Sequence, residues 1–428
     1  MAVGRLSMSR DLGRLARMSM HAEVEKHYAQ LLGIGHPWVV KQVELKLAAK
    51  QVLIELGWQW GETATCPVCQ ARCPLHDCAP ERSWRHLDTM QFETVIRARV
   101  PRANCPTHGV KTMTVPWAAP GGRFTLLFER FAVEVLQASA SVSAACELLD
   151  LSWDAAHEIM RRAVTRGVAQ RAADAVPHLG MDEKSFKRGQ SYISLLTDLE
   201  QGRVLDVVVD RTREAADQLW QTLTGSQRTA VAAVAMDMWE PFLGAAQTHA
   251  PQADVVHDKF HISKYLNEAV DQVRRQEHAQ LQAVGDPTLT GSRQLWLFNP
   301  QNFNPAQREK FAKLKDLNLK TARAWAAKEL FSTFWDYTEI EAARAFFKQW
   351  FGWTSRSRLP PVVKVAKMIK RHLGNLLTYI RHPITNAVTE GLNSKVQALK
   401  SAARGFRNFT NYRIRILFFC GKLNLYPL

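Results

Sequence analysis

Apolar residues between positions 178 and 262 fall in short runs separated by polar turns, and the period of the runs changes along the segment. Runs at 178–182, 192–197 and 203–209 have the length and β-branched content of strands and predict a three-stranded antiparallel meander. The first run stops on a carboxylate, Asp182, and a basic turn containing Lys184, Lys187 and Arg188 follows at once. A helical period over 213–223 leads to a fourth strand-like run at 230–236, which stops on Asp237. A helix at 241–249 and a fifth strand at 253–256 complete the segment. Upstream, 39–47 and 51–56 are strand-like, with a helix as the alternative for the pair; 92–100 is strand-like and 124–138 is helical. Residues 143–149 and 153–168 predict two helices about a tight turn, with Ser152 as N-cap and Asp154 in the first turn, which is the pattern of a helix-turn-helix or, equally by spacing, of a plain helical hairpin packing the core. From 263 to about 380 the period is helical and rich in Trp, interrupted at Pro360-Pro361, and a last helix opens near Glu390.

The pattern predicts an α/β multidomain chain. Its boundaries are a β-hairpin or flexible N-terminal region (1–60), a small cysteine-bearing β domain (61–120), a helix-turn-helix (121–170), an α/β core (171–265), a helical insertion (266–382) and a final helix with a basic tail (383–428). A length of 428 residues at 46% hydrophobic content supplies ample core for several domains. No apolar run approaches the roughly 18 residues that would suggest a membrane span, and the first twenty residues lack the apolar block of a signal peptide, so a cytoplasmic protein is expected. The net charge of +16 points to a polyanionic partner, most simply DNA. The excess is uneven: residues 361–428 hold twelve Lys/Arg against the single acid Glu390.

Seven cysteines, an odd number clustered mainly in one region, argue for metal ligation over disulfides in such a compartment. Cys66-Pro-Val-Cys69 and Cys105-Pro-Thr-His108 are two tight knuckles, and together they offer the Cys3His donor set of a structural zinc site. Cys73, His76 and Cys78 compete as ligands.

One acidic residue says little in a chain that has forty. Three at defined places say more: Asp182 and Asp237 at the ends of apolar runs, and Glu390 on a later helix. Separated carboxylates on an α/β scaffold suit two-metal phosphodiester chemistry with Mg2+ or Mn2+. Helical geometry places Asn393, Ser394 and Gln397 on the face of Glu390, with Lys395, Lys400, Arg404 and Arg407 around it to meet phosphates. On the second helix of the helix-turn-helix, Trp153, His157, Arg161 and Arg162 are the residues offered to DNA. Asp258 and His261, after the fifth strand, either face the site or serve as a helix cap and a local packing residue. Trp239 reads as core.

The segments Gly180-Met-Asp-Glu-Lys-Ser-Phe-Lys-Arg-Gly189, Asp258-Lys-Phe-His261, Glu390-Gly-Leu-Asn393 and Lys400 to Phe409 resemble the acidic-triad insertion-sequence transposases of the ISL-three group, and the resemblance extends through the cysteine region. It implies a ribonuclease-H-like catalytic core in which the first and fourth strands lie side by side, so that Asp182 and Asp237 face each other. It also implies zinc on Cys66, Cys69, Cys105 and His108, recognition of the element's inverted ends, and strand transfer to target DNA by at least a homodimer at the bacterial nucleoid. Two other readings remain beside it: a catalytically inactive, transposase-derived DNA-binding regulator, and a nuclease on the same fold. Presence of all three carboxylates disfavours the first, and the N-terminal DNA-binding modules disfavour the second.

Overall fold

The computed structural model describes residues 23–187 and 191–427; Arg188 of the basic turn and residues 1–22 of the N-terminal region lie outside them. The chain divides into two units, Met1–Gln170 with Asn424–Leu428, and Arg171–Leu423.

Among the described residues of the first unit run β1 (Trp38–Lys46), β2 (Gln51–Trp58), β3 (Ala64–Thr65), β4 (Arg72–Cys73), β5 (Leu75–Cys78), β6 (Arg82–Thr89), β7 (Phe92–Ala98), β8 (Pro101–Cys105) and β9 (Gly109–Thr112). The β1–β2 hairpin does not stand apart as the hydrophobic pattern alone suggests. β2 pairs in parallel with β7, giving one sheet of order β1-β2-β7-β6. The alternation in β2 explains this, because Val52, Ile54 and Leu56 need a shared apolar face. They find it with Ile96, Trp38, Trp84 and Trp117, whose indoles meet edge to face at 4.7 Å (Trp38–Trp117) and 5.5 Å (Trp84–Trp117). The cysteine knuckles are carried by two smaller sheets, β3-β4 and β5-β8-β9.

Three helices follow, α1 (Leu126–Ala138), α2 (Val142–Leu149) and α3 (Trp153–Ala169). Each begins on a hydroxyl N-cap, Thr125, Ser141 or Ser152, which accepts the N–H three residues on. Asp150 ends α2 in the left-handed conformation at φ 49°, so the chain turns sharply into α3. Ala145, Leu149, Ala156, Ile159 and Met160 are buried, as the helix-turn-helix pattern requires.

The second unit opens with the predicted meander, β10 (His178–Lys187), β11 (Ser191–Asp198) and β12 (Arg203–Val209). Helices α4 (Arg213–Gln221) and α5 (Gly225–Ala230) lead to β13 (Ala233–Met236), then α6 (Glu240–His249) and β14 (Asp254–His257). β13 runs parallel between β10 and β14, so the sheet order is β12-β11-β10-β13-β14. One face is covered by α4 and α6 through Leu219, Trp220, Phe242 and Ala246.

Helix α7 (Lys259–Ala283) leaves the sheet and runs into the insertion, where Ile262 and Leu266 join one apolar cluster and Val270 and Val273 another. Around it lie α8 (Arg293–Leu297), α9 (Pro305–Lys315), α10 (Lys320–Ser332), α11 (Ile340–Thr354), α12 (Pro360–Arg371) and α13 (Leu373–Arg381). Two of the insertion's Trp residues are core: Trp296 and Trp350 are fully buried, and Trp350 Nε1 donates to Ala327 O at 2.9 Å, whereas Trp353 is exposed. The chain then returns to the sheet through α14 (Ala387–Ala402) and α15 (Phe409–Cys420).

Candidate functional site

Asp182 stands in the middle of β10, which corrects the expectation that it ends a strand. Parallel pairing with β13 stops at Gly180↔Ala235, but antiparallel pairing with β11 continues to Lys187↔Ser191, so the strand outlasts its apolar run. Asp237 follows β13 directly. Asp182 and Asp237 are therefore both two residues beyond the same paired position on neighbouring parallel strands.

Burial raises the Asp182 carboxyl to about 6, against the opposing N–H of Glu183 at 2.8 Å and the amide of Asn393 at 2.6 Å. Burial also acts upward on Asp237, but the His261 ring and the Met238 N–H outweigh it and hold this carboxyl below the ordinary range. His261 Nδ1 lies 3.0 Å from Asp237 Oδ1. That ion pair, with the further charges of Asp258 and Asp182, favours the protonated ring. Asp258 caps α7 by accepting the Phe260 N–H at 3.1 Å, while its Oδ2 is buried with no hydrogen-bond donor. Burial raises Asp258, and the charges of Glu390 and Asp237 add to the effect. His261 thus lies among three aspartates, and Glu390 reaches the same field from the exposed first turn of α14.

Helix α14 is held on the sheet by a polar seam. Asn386, Thr389 and Asn393 occupy one helical face, and all three are buried. Asn386 Nδ2 donates to Met181 O at 3.4 Å, Thr389 Oγ1 meets Thr197 Oγ1 at 2.8 Å, and Thr197 Oγ1 donates to Gly180 O at 3.1 Å. Gly180 makes this approach feasible: a Cβ there would sit 2.3 Å from Thr389 Oγ1 and 2.6 Å from Thr197 Oγ1. Of the residues expected on the face of Glu390, only Asn393 turns inward. Ser394 and Gln397 are exposed, and Ser394 Oγ donates to Glu390 O. The helical spacing of 386, 389 and 393 is the sequence signal of this seam. Lys400 Nζ donates to Ser185 O at 3.0 Å and Lys187 Nζ to Arg407 O at 3.1 Å, so the basic strand end and the C-terminal segment are tied together. Lys395, Arg404 and Arg407 are exposed, and Lys184 is half-buried. Trp239 packs at the edge of the core, its Nε1 donating to Arg211 O at 2.9 Å.

On α3 the four candidate DNA contacts separate. Trp153 is half exposed and stacked on His157 at 5.2 Å, and Arg161 is exposed and paired with Glu158 at 2.6 Å. Arg162 turns inward to the buried Glu129 at 3.1 Å, which makes it a structural partner within the helical bundle.

Cys66, Cys69, Cys105 and His108 bring their ligand atoms within 4.8 Å of one another. Cys69 and Cys105 sulfurs are 3.7 Å apart, and His108 Nδ1 is 3.5 Å from Cys105 and 3.8 Å from Cys66. A tetrahedral zinc with Zn–S near 2.3 Å has edges of about 3.8 Å, so the donor set fits the ion. The N–H groups of Cys69 and Val68 lower the Cys66 thiol and those of His108 and Thr107 bring Cys105 to about 7, favouring one thiolate in each knuckle, whereas at Cys69 the Ala71 N–H is outweighed by burial and the neighbouring sulfurs, which raise the thiol. His76 pairs with Asp77 and Cys78 is exposed, while buried Cys73 donates to Ala71 O and packs beside Cys66 and Cys105; none of the three rivals belongs to the group within 4.8 Å. Among the described residues, Asp182, Asp237 and Glu390 do not close into so tight a group.

The chain thus sets a Cys3His cluster and a helix-turn-helix before an α/β core, and comparison with known families gives this arrangement a class. Residues 179–416 match a family model described as a transposase, residues 113–164 the helix-turn-helix domain of transposase family ISL3, and residues 62–108 the zinc-finger of transposases IS204/IS1001/IS1096/IS1165. The chain belongs to the ISL3 family of transposases. It is 26% identical over 411 residues to the transposase for insertion sequence element IS1557 of Mycobacterium tuberculosis, covering 89% of this chain and 92% of that protein. To the transposase for insertion sequence element IS1001 of Bordetella parapertussis it is 25% identical over 356 residues, covering 82% and 87%. No described helix is long and apolar enough to cross a membrane.

Proposed function

We propose that this protein binds the inverted ends of its own insertion sequence and catalyses metal-dependent DNA cleavage and strand transfer on a ribonuclease-H-like core. The observation that supports the reading is that Asp182 and Asp237 lie two residues beyond the same paired position on adjacent parallel strands, while the helix that carries Glu390 is pinned to the first of them by Asn393.

Asp182, Asp237 and Glu390 would hold Mg2+ or Mn2+, with Asp258 as a further acid. The buried, donorless Oδ2 of Asp258 and the mutual repulsion that raises Asp258 fit a divalent cation, and the all-oxygen donor set suits a hard one. When bound, such ions supply an activated nucleophile and neutralise the leaving oxygen of an in-line displacement. The chain's own residues do the rest. Asn393 orients the Asp182 carboxylate, and His261 orients Asp237 and offsets part of the negative field. Lys395, Arg404 and Arg407 offer exposed cations for the DNA backbone, with Lys184, Lys187 and Lys400 beside them.

End recognition falls to α3 through Trp153, His157 and Arg161, the conventional position of a reading helix. Zinc on Cys66, Cys69, Cys105 and His108 is structural, since a four-ligand site leaves no open position. Pairing two ends calls for at least two copies of the chain. Purified protein, its own flanked DNA and Mg2+ test the whole reading. Excision and joining products should form with the wild type and vanish with Asp182→Ala. Products made equally by the variant would place the site elsewhere, and end binding without cleavage by either would identify a regulator.

A further inference from the structure

Between Glu341 and Glu390 the chain has no Asp or Glu, while Lys and Arg recur throughout. The second half of the insertion is therefore an acid-free stretch, and α12 lies at its centre. This helix is strongly two-sided. Val362, Ala366 and Ile369 are buried, joining the two apolar clusters of the insertion and fixing the helix in place. Lys364, Lys367, Lys370 and Arg371 are all exposed. Lys370 lies 4.8 Å from the Phe351 ring, and among the described residues none of the four pairs with a carboxylate. Lys364, Lys367 and Arg371 are left without a compensating carboxylate, and on a rigid surface they raise the local potential.

The position of this face gives it a use. α12 ends at His372, whose ring is 5.2 Å from that of His257, the residue before Asp258. The basic face therefore starts beside the acidic cluster and leads away from it. Lys364, Lys367 and Arg371 share one side of the helix and span about 10 Å at 1.5 Å rise per residue. One DNA strand presents a phosphate every 3.4 Å of duplex axis, so that span covers about three phosphates.

We propose that the solvent face of α12 is a DNA-binding surface of the insertion, holding the phosphate backbone of a duplex that continues outward from the cleaved position. It rests on the transposase reading above and assigns the insertion a task within it. Contact is to backbone only, so the grip is independent of base sequence.

The test is duplex binding by the full chain in EDTA, which separates it from the cleavage experiment with Asp182→Ala. Affinity for a 30-base-pair duplex of unrelated sequence is measured by fluorescence anisotropy across a salt series. The combined variant Lys364→Gln, Lys367→Gln, Arg371→Gln is compared with a control carrying Lys310→Gln, Lys313→Gln, Lys315→Gln on exposed α9. Loss of three phosphate contacts should make the salt slope shallower by about 2.7 and weaken binding about 10-fold or more at low salt, with the control nearly unchanged. Unchanged affinity and slope in the α12 variant would overturn the proposal. Equal losses in both variants would also overturn it, since general charge and not this face would then attract the DNA. A loss seen only with single-stranded DNA would reject the duplex assignment. Since all the altered residues are exposed, thermal melting should be unchanged; should it fall, Lys367→Cys with disulfide crosslinking to a thiol-tethered duplex gives an independent readout, and absence of crosslink overturns the assignment.

Discussion

Asn393 Nδ2 donates a 2.6 Å hydrogen bond to Asp182 Oδ2 across 211 residues of chain. The bond joins the helix of one candidate catalytic acid to the strand of another, and the donor comes from one turn beyond Glu390. Asn393 touches a carboxylate and not the reacting phosphate, so it is a positioning residue. Asn393→Ala removes a hydrogen bond to a charged group, worth about 1.5–3 kcal/mol, and should slow DNA cleavage about 10- to 100-fold with end binding intact. The amide opposes the burial that raises Asp182. Its loss should therefore move the titration of Asp182 in the metal-free protein upward from about 6, a shift that mere loosening of the helix would not produce and that carboxyl NMR in EDTA reads directly. An unmoved titration would argue against the positioning role.

Gly180 sets how closely α14 approaches the sheet. A Cβ at this position would meet Thr389 Oγ1, Thr197 Oγ1 and Asn386 Oδ1, all within 2.9 Å and all on buried residues. Gly180→Ala should cost about 1–3 kcal/mol of stability, as overpacking does, and should reduce cleavage by displacing Glu390 although no carboxylate is changed. Thr389→Ala in the same chain removes the 2.3 Å conflict and should restore part of the thermal stability. Melting temperatures of the single and double variants decide the matter.

The sheet was legible because its strands are short, apolar and bounded by turns, and the alternation in β2 and the meander from β10 to β12 follow from that. The helix-turn-helix was legible from Ser152 and the turn before it. Three things were not. A pattern of apolar runs cannot show that β10 continues past Asp182 once β11 supplies its pairing. Nor can it show that β2 adds to β7, because that partner is chosen by tertiary packing around Trp84 and Trp117. Arg162 looked like a DNA contact because a helix wheel does not reveal a buried acid on a neighbouring helix, here Glu129. The acidic residues were found by position along the chain, whereas the seam that brings Glu390 to them consists of uncharged polar residues, which carry little weight in a sequence.

Zinc content separates the ligands from their rivals. Cys105→Ala and His108→Ala should each abolish stoichiometric zinc in the purified chain, measured by atomic absorption, and should lower the melting temperature of the first unit. Cys73→Ala and Cys78→Ala should keep about one zinc per chain, since Cys73 Sγ is directed to Ala71 O and Cys78 is exposed. Chelation of the wild type should reproduce the Cys105→Ala phenotype, because metal binding and folding are coupled in small zinc sites. Zinc lost from Cys73→Ala but retained in His108→Ala would exchange their roles.

His86 makes the stability of the first unit depend on pH. Burial depresses its pKa to about 4, and Nδ1 lies 2.9 Å from Thr125 Oγ1, the N-cap of α1. In the unfolded chain the ring takes up its proton near 6.5. The folded state therefore binds fewer protons between these values, so the contribution is fully present above about pH 6.5 and is lost as pH falls towards 4. A depression of this size corresponds to about 3 kcal/mol, an upper bound for a ring that keeps some solvent contact. Carboxylates and the zinc cluster add their own acid sensitivity, so the informative quantity is the difference from a variant that has no titratable group at this position. His86→Asn should be less stable than the wild type at pH 7.5, and the gap should narrow steadily as the pH is lowered from 6.5 to 4.5. Parallel melting curves for the two proteins across that interval would show that His86 keeps its ordinary pKa in the fold and that the cap beside it is insensitive to protonation.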